Sequence, residues 1–229
     1  QRVLALKTKV NHIISVSKEN REQLIELGFS PDKISVIPNA VNYDTFKPLD
    51  KNICKEKLGL SSDKFTVGFI GHFIHRKGPN RVINAIKLLN DENIQLVCVG
   101  GNKEQLDSNN FTKVLGAVPN YQLPEIYNAF DIFVLPTLNE GNCNVIEEAK
   151  ACGIPIISSK GTSVEEQVDD FTGILVNPLN IEEIAEAILK LKNDKSLYES
   201  MVKTLIAKRG ENSIEQRANK INNIFSQII

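Results

Sequence analysis

The sequence carries no surplus of either charge: 27 Lys and Arg stand against 28 Asp and Glu, a formal net charge of −1. A protein that grips nucleic acid through its phosphates needs a basic excess somewhere along the chain, so this balance argues against that class. No apolar run approaches the roughly 18 residues that cross a bilayer, and no signal-peptide pattern opens the chain. The four cysteines, Cys54, Cys98, Cys143 and Cys152, show no C-x-x-C spacing and lie in or beside apolar segments. Free thiols in a reducing cytosol are the simpler reading. HExxH and paired-His spacings are missing, which leaves no metal set to propose. Also missing are a Walker loop, a G-x-G-x-x-G after a strand, and the GxSxG elbow of hydrolases. Neither an internal repeat nor a low-complexity tract interrupts the chain.

What is present is a composition of 41% hydrophobic and 24% charged residues, ordinary for a globular protein. The length suits one α/β domain of about 170–180 residues plus extra elements. The chain starts at Gln1 without a Met, and a piece of something longer is the expectation. Strand-length apolar runs cover residues 12–16, 34–37, 65–70, 94–99, 113–115, 132–135, 154–157 and 173–176. Helical patterns lie between them, such as 19–27 closed by Gly28 and 80–89 opened by Pro79, where a missing N–H costs nothing. Strands with helices between them imply right-handed βαβ units and a parallel sheet covered on both faces. The runs FTVGFI, IQLVCV and DIFVLP are apolar throughout, as central parallel strands should be.

Residues 38–50 (PNAVNYDTFKPLD) have loop composition and read as a linker; the two strands and one helix before them are too few to close a core. After Val176 the chain reads as entirely helical. Asn180 with Glu183, and Ser213 with Gln216, look like helix starts. The last helix places Ile214, Ala218, Ile221, Phe225 and Ile228 on one stripe, which needs a surface to cover, in this domain or on a neighbour.

In an open parallel sheet, ligands bind beyond the carboxyl ends of the strands. The segments there are 71–78 (GHFIHRKG), 100–103 (GGNK), 116–120 (GAVPN), 136–144 (PTLNEGNCN) and 158–163 (SSKGTS). Glycines let backbone amides approach a ligand, Arg76 and Lys77 supply cations, and Glu140 stands before a helix expected to start near Asn144. This is a rim suited to a phosphate-bearing ligand with hydroxyl groups. At about 100° per residue, Val145, Ala149 and Cys152 define that helix's buried face. Glu148 then lies at its edge, and Glu147 on the far side, one turn from Lys150. A half-buried carboxylate at 148 suits ligand hydroxyls; its alternative is a helix-dipole role. Arg76 and Lys77 bind a diphosphate or are simply solvated.

In this order the segments resemble the nucleotide-sugar-binding half of a retaining GT-B glycosyltransferase of family 4 (group 1). The resemblance runs from HIISVSKENREQLIELGF and KISVIPNAVNYDTFKP through VGFIGHFIHRKG, LVCVGGNKEQL and LGAVPNYQLPEIYNAFDIFVLPT. It is strongest in NEGNCNVIEEAKACGIPIISS, with E-x7-E as Glu140 and Glu148, and closes with FTGILVNPLNIEEIAEAI. It implies a Rossmann-like parallel sheet with helices on both faces, one half of a GT-B fold, with a helical C-terminus. Residues 1–44 would be a remnant of the N-terminal acceptor domain and hinge, and 45–210 the nucleotide-sugar-binding domain. Residues 211–229 would be a helix packing on the missing domain.

The resemblance also implies roles. Lys77 would hold the donor diphosphate, in the loop that opens with Gly71. Glu140 would face the donor sugar, beside Gly141 and the amides of Asn142, Cys143 and Asn144. Glu148 would take the ribose hydroxyls, Val118 would follow the turn that meets the base, and Glu165 or Glu166 would be a further family acid. The catalytic groups would be Glu140 and Lys77. No metal or other cofactor is expected. The partners implied are a nucleoside-diphosphate sugar and an acceptor glycan or lipid-linked sugar, held mainly by the other domain. The setting implied is cytoplasmic polysaccharide or glycoconjugate synthesis, with attachment to the inner face of the membrane left open.

Two features depart from the family. His72 stands where G-R-x4-K has Arg, which removes a fixed charge that Arg76 would have to supply. The hinge N-G-V-D is here NAVN, at 39–42. The reaction implied is transfer of a sugar to a hydroxyl with retention, very weak in this chain alone. Alternatives are a nucleotide-sugar-binding module without turnover, a GT-B nucleotide-sugar epimerase, or a structural α/β domain with solvated loops.

Overall fold

A computed structural model describes residues 9–228 of the chain, without the side chain of Ile228. Residues 1–8 of the expected first segment, Ile229, and the Ile228 member of the last stripe therefore lie outside the described residues.

Two parallel sheets follow each other. The first pairs β1 (Ile13–Ser15) with β2 (Ile34–Val36), joined by α1 (Lys18–Glu26). The second has six strands: β3 (Phe65–Ile70), β4 (Ile94–Val99), β5 (Thr112–Val114), β6 (Ile132–Leu135), β7 (Ile156–Ser159) and β8 (Gly173–Val176). They lie in the order β5-β4-β3-β6-β7-β8 and every pairing is parallel. The helices are α2 (Lys51–Lys57), α3 (Pro79–Leu89), α4 (Leu123–Asn128), α5 (Asn144–Ala151), α6 (Ile181–Asn193), α7 (Lys195–Ala207) and α8 (Ile214–Ile228). α3 packs on α6, while α2, α4, α5 and α7 form the other layer. None of the described helices is long and apolar enough to cross a membrane.

The three all-apolar runs occupy the middle of the sheet, where both faces are covered. Val67, Leu96, Val97 and Ile132 to Leu135 are fully buried. At the turns, small polar groups shift the edges of the expected elements. α1 begins one residue early because the Ser17 hydroxyl caps the Asn20 amide at 3.1 Å. β7 runs over 156–159 rather than 154–157. Pro155 has no N–H to offer the ladder, and the Ser158 and Ser159 hydroxyls donate to the carbonyls of Leu135 (2.9 Å) and Thr137 (2.6 Å). β1, β2 and β5 are likewise three residues each, shorter than or one residue offset from expectation.

Gly68 in β3 is required by packing. A Cβ there would stand 2.0 Å from the Phe130 ring, which is itself fully buried. Gly68→Ala is therefore expected to cost about 1–3 kcal/mol through overpacking, read as a lower urea midpoint with an unchanged slope. An unchanged midpoint would mean the ring moves freely.

The helical tail is fastened to the linker rather than to the sheet. Arg217 donates to Pro38 O (2.9 Å), Asn212 to Asn39 O (2.6 Å) and Arg209 to Tyr43 O (2.8 Å). Ile214 and Phe225 of the predicted stripe stay about half exposed, at 47% and 54%. Asn180 caps α6 through the Glu183 amide (3.0 Å), but the Glu183 carboxylate turns to Lys160, so only half of the capping pair forms.

Candidate functional site

The strand order reverses at the centre of the sheet. From β3 the chain moves outward through β4 and β5, then returns to place β6 on the other side of β3. Two loops consequently leave adjacent strands and diverge, and the crevice between them is where open α/β sheets bind ligands. Those loops are 71–78, after β3, and 136–144, after β6.

Lys77 and Glu140 meet across that crevice. Lys77 Nζ lies 2.7 Å from Glu140 Oε1, the Arg76 guanidinium donates to the same oxygen, and Thr137 Oγ1 is 3.2 Å from it. The Lys77 stem runs over Gly71, its Cδ 3.8 Å from where a Cβ on that glycine would stand. Burial alone would raise the Glu140 carboxyl; the Lys77 contact, then Arg76 and Thr137, outweigh it and hold the pKa below the usual value. Two cations against one carboxylate leave one positive charge in excess on a partly open rim. That arrangement suits an anion.

The amino end of α5 stands beside this cluster. Among the described residues, the amides of Asn144 and Val145 have no protein partner, as first-turn amides pointing at a ligand would not. The Cys143 amide is different. It donates to Gln167 Oε1 at 2.7 Å, so it is not free for a ligand as expected. Asn142 is turned to the linker, where its Oδ1 accepts from the Asn39 amide at 3.1 Å. Gly141 lies against α1: a Cβ on it would meet Asn20 Nδ2 at 3.0 Å. The Cys143 thiol lies 4.0 Å from Lys77 Nζ, and burial pushes its pKa up to about 12, so it is a neutral floor.

Of the two glutamates of α5, only Glu147 departs from its expected environment. Glu147 is 7% exposed rather than on the far side, because the 3-10 helix Ser163–Gln167 covers it and Gln167 Nε2 donates to it at 2.8 Å. Ile146, absent from the expected buried face, is fully buried, and Val145 only half. Glu148 is half-buried as expected, yet it does not join the Lys77 cluster; the Tyr127 hydroxyl donates to its Oε2 at 2.8 Å. Burial raises the Glu148 pKa, and the Tyr127 bond only partly opposes it.

Of the remaining candidates, Val118 is half-buried against the core, on the loop after β5. His72 is exposed, and its ring has no hydrogen-bond or ionic partner among the described residues. Glu166 caps α1 through the amides of Lys18 (2.9 Å) and Glu19 (3.2 Å), while Glu165 accepts from the Gly161 amide within its own loop. Thr137, Tyr127, Gln167 and Arg81 support the site and were not singled out in the sequence. None belongs to a spacing motif, and Tyr127, Gln167 and Arg81 each act through a partner distant in the chain. Among the described residues, no three His, Cys, Asp or Glu side chains gather to hold a metal ion.

The sequence model of the family described as "Glycosyl transferases group 1" matches residues 50–207. The chain is 29% identical to the "Capsular polysaccharide biosynthesis glycosyltransferase CapM" of Staphylococcus aureus, over 87% of this chain and 54% of that protein. It is 29% identical to the "UDP-Gal:alpha-D-GlcNAc-diphosphoundecaprenol alpha-1,3-galactosyltransferase" of Escherichia coli, over 95% of this chain and 60% of that protein. The chain thus spans little more than half the length of these relatives. Its fold resembles Anabaena Alr3699/HepE, solved in complex with UDP-glucose, with a TM-score of 0.87 at 21% identity over 98% of this chain and 67% of that one.

Proposed function

Because this chain belongs to the group 1 glycosyl transferases, we propose that it binds the nucleoside-diphosphate sugar donor of a transferase whose acceptor is held mainly by a second domain. The observation that carries this reading is the meeting of Arg76, Lys77 and Glu140 at the strand-order reversal, beside free helix amides. A diphosphate there would draw on the excess positive charge and on the α5 amino end. Glu140 would position the sugar, and Glu148, about 6 Å along the helix from its start, would take ribose hydroxyls.

In the reaction, the bond from the anomeric carbon to the diphosphate oxygen breaks and a bond from the acceptor oxygen forms on the same face. The diphosphate leaves with the electron pair, and the hydroxyl proton is released. Lys77 and Arg76 stabilise the charge where it develops. Arg76 already reaches Glu140, so it stands in for the arginine that His72 replaces. Excluding water and placing an acceptor would fall to the second domain, so the donor-binding part by itself would turn over very slowly. The relatives' names support a role for the whole protein in polysaccharide or glycoconjugate synthesis.

Calorimetric titration with UDP, GDP and ADP tests the reading. Saturable heat is expected with at least one of them. No heat with any, while circular dichroism shows the fold intact, rejects it. A second reading, binding without turnover, draws on the unpartnered His72; donor turnover by the full-length gene product separates the two.

A further inference from the structure

Arg81, three residues beyond Gly78 on the first turn of α3, is a buried cation with 8% exposure. Its guanidinium donates to His75 O (2.9 Å), Arg76 O (3.2 Å) and Pro136 O (2.7 Å), while its Nε is buried without a partner. Burial pulls its pKa down, and no carboxylate opposes that. A buried charge left without a counter-ion is costly, and a carboxylate in its place of contact would have relieved the cost. Here carbonyl oxygens hold it instead.

The carbonyls it holds belong to both loops of the site. His75 and Arg76 lie in the loop after β3, immediately before Lys77, and Pro136 opens the segment that carries Thr137 and Glu140. The Arg76 carbonyl also accepts from the Leu138 amide at 2.9 Å and from the Thr137 hydroxyl at 3.3 Å, so it is the knot between the loops. Gly78 leaves room for the fork. At φ +80° it sits where L-residues rarely go, and a Cβ on it would stand 2.5 Å from the Arg81 guanidinium.

We infer that Arg81 is a positioning residue for the donor diphosphate: its fork fixes the phosphate loop to the end of β6, so that Lys77 and Glu140 face each other at a set distance. Its own charge lies under the loop with no carboxylate to cancel it, and so adds to the field that a diphosphate meets. This rests on the proposed donor-binding role. A guanidinium is needed because three carbonyls in a fan demand a planar fork; an ammonium on a shorter reach satisfies fewer of them.

The test compares wild type, Arg81→Met and Arg81→Lys in the full chain. Affinities for UDP, GDP and ADP are measured by calorimetry, and those for uridine, guanosine and adenosine by NMR shift titration. Arg81→Met should lose about 10- to 30-fold for the diphosphate that wild type binds, and less than about twofold for its nucleoside. Arg81→Lys should lose most of the same increment. Equal loss for nucleoside and diphosphate, no loss at all, or full rescue by lysine would overturn the positioning role. Hydrogen exchange gives a readout that needs no ligand: the peptide over 72–78 should exchange faster in Arg81→Met, with the peptide over 65–70 unchanged. Uniform acceleration would make Arg81 merely structural and sink the inference. Should Arg81→Met fail to fold, Arg81→Lys decides by the same criteria. If wild type itself binds no diphosphate, the functional reading falls, while exchange still reports whether Arg81 sets the loop.

Discussion

Lys77→Ala is expected to weaken nucleoside-diphosphate binding about 100-fold, the worth of a charge-assisted hydrogen bond at a partly buried site together with the repulsion left behind. Both parts come from one geometry. Lys77 Nζ is 2.7 Å from Glu140 Oε1, and its side chain is only 13% exposed. Removing it takes away the cation that a phosphate would meet, and cancels the local positive excess, because Glu140 is then balanced by Arg76 alone. The nucleoside should bind nearly as before, since the contact proposed for its ribose, Glu148, is held by Tyr127 apart from the Lys77 cluster. A second signature follows from the carboxyl itself. Burial already pushes Glu140 up and Lys77 leads the groups that hold it down, so Lys77→Ala should move the Glu140 titration to higher pH, observable by carbon NMR. An affinity loss below threefold, with the Glu140 titration in place, would show that the diphosphate goes elsewhere.

The largest effect on stability should come from the opposite end of the sheet. Asp131, just before β6, accepts from Lys51 Nζ at 2.7 Å, Lys55 Nζ at 2.9 Å and the Thr66 amide at 2.7 Å. Lys55 keeps only 4% of its side chain exposed. Asp131→Ala leaves that ammonium buried with the Lys64 carbonyl as its remaining partner. Breaking one side of such a pair costs about 3–5 kcal/mol, read as the loss of unfolding free energy in urea near neutral pH. The Asp131 carboxyl is pushed up by burial, but Lys51 and then Lys55 outweigh this and hold it below its ordinary value. A depressed folded pKa stabilises above the unfolded value of about 3.9 and is lost as pH falls through the folded one. The gap between wild type and Asp131→Ala should therefore be full at neutral pH and close only below about pH 4. A gap that is small at pH 7, or that widens in acid, would mean Asp131 does not carry this network.

Legibility in the sequence differs from residue to residue. Strands 65–70, 94–99, 132–135 and 173–176 were read to the residue, because an apolar run bounded by loop composition is a local signal. The start of α5 at Asn144 was equally local. Glu147 was misplaced because helical period says which side a residue faces, and the 3-10 helix that covers that side comes from a segment 16 residues further on. Tyr127 escaped notice for a similar reason. Its hydroxyl matters only because α4 and α5 lie side by side, which brings it to Glu148 across 21 positions.

Composition and periodicity were sufficient to establish a parallel α/β sheet and the edge along which its ligand loops gather, since burial on both faces and strand-helix alternation are written into each short segment. They could not say which strand neighbours which. Apolar strands buried on both faces are interchangeable to their own side chains, and their order is chosen by the packing of the whole chain. Here that packing sets β6 against β3, and by doing so it brings Lys77 within 2.7 Å of a glutamate 63 positions away.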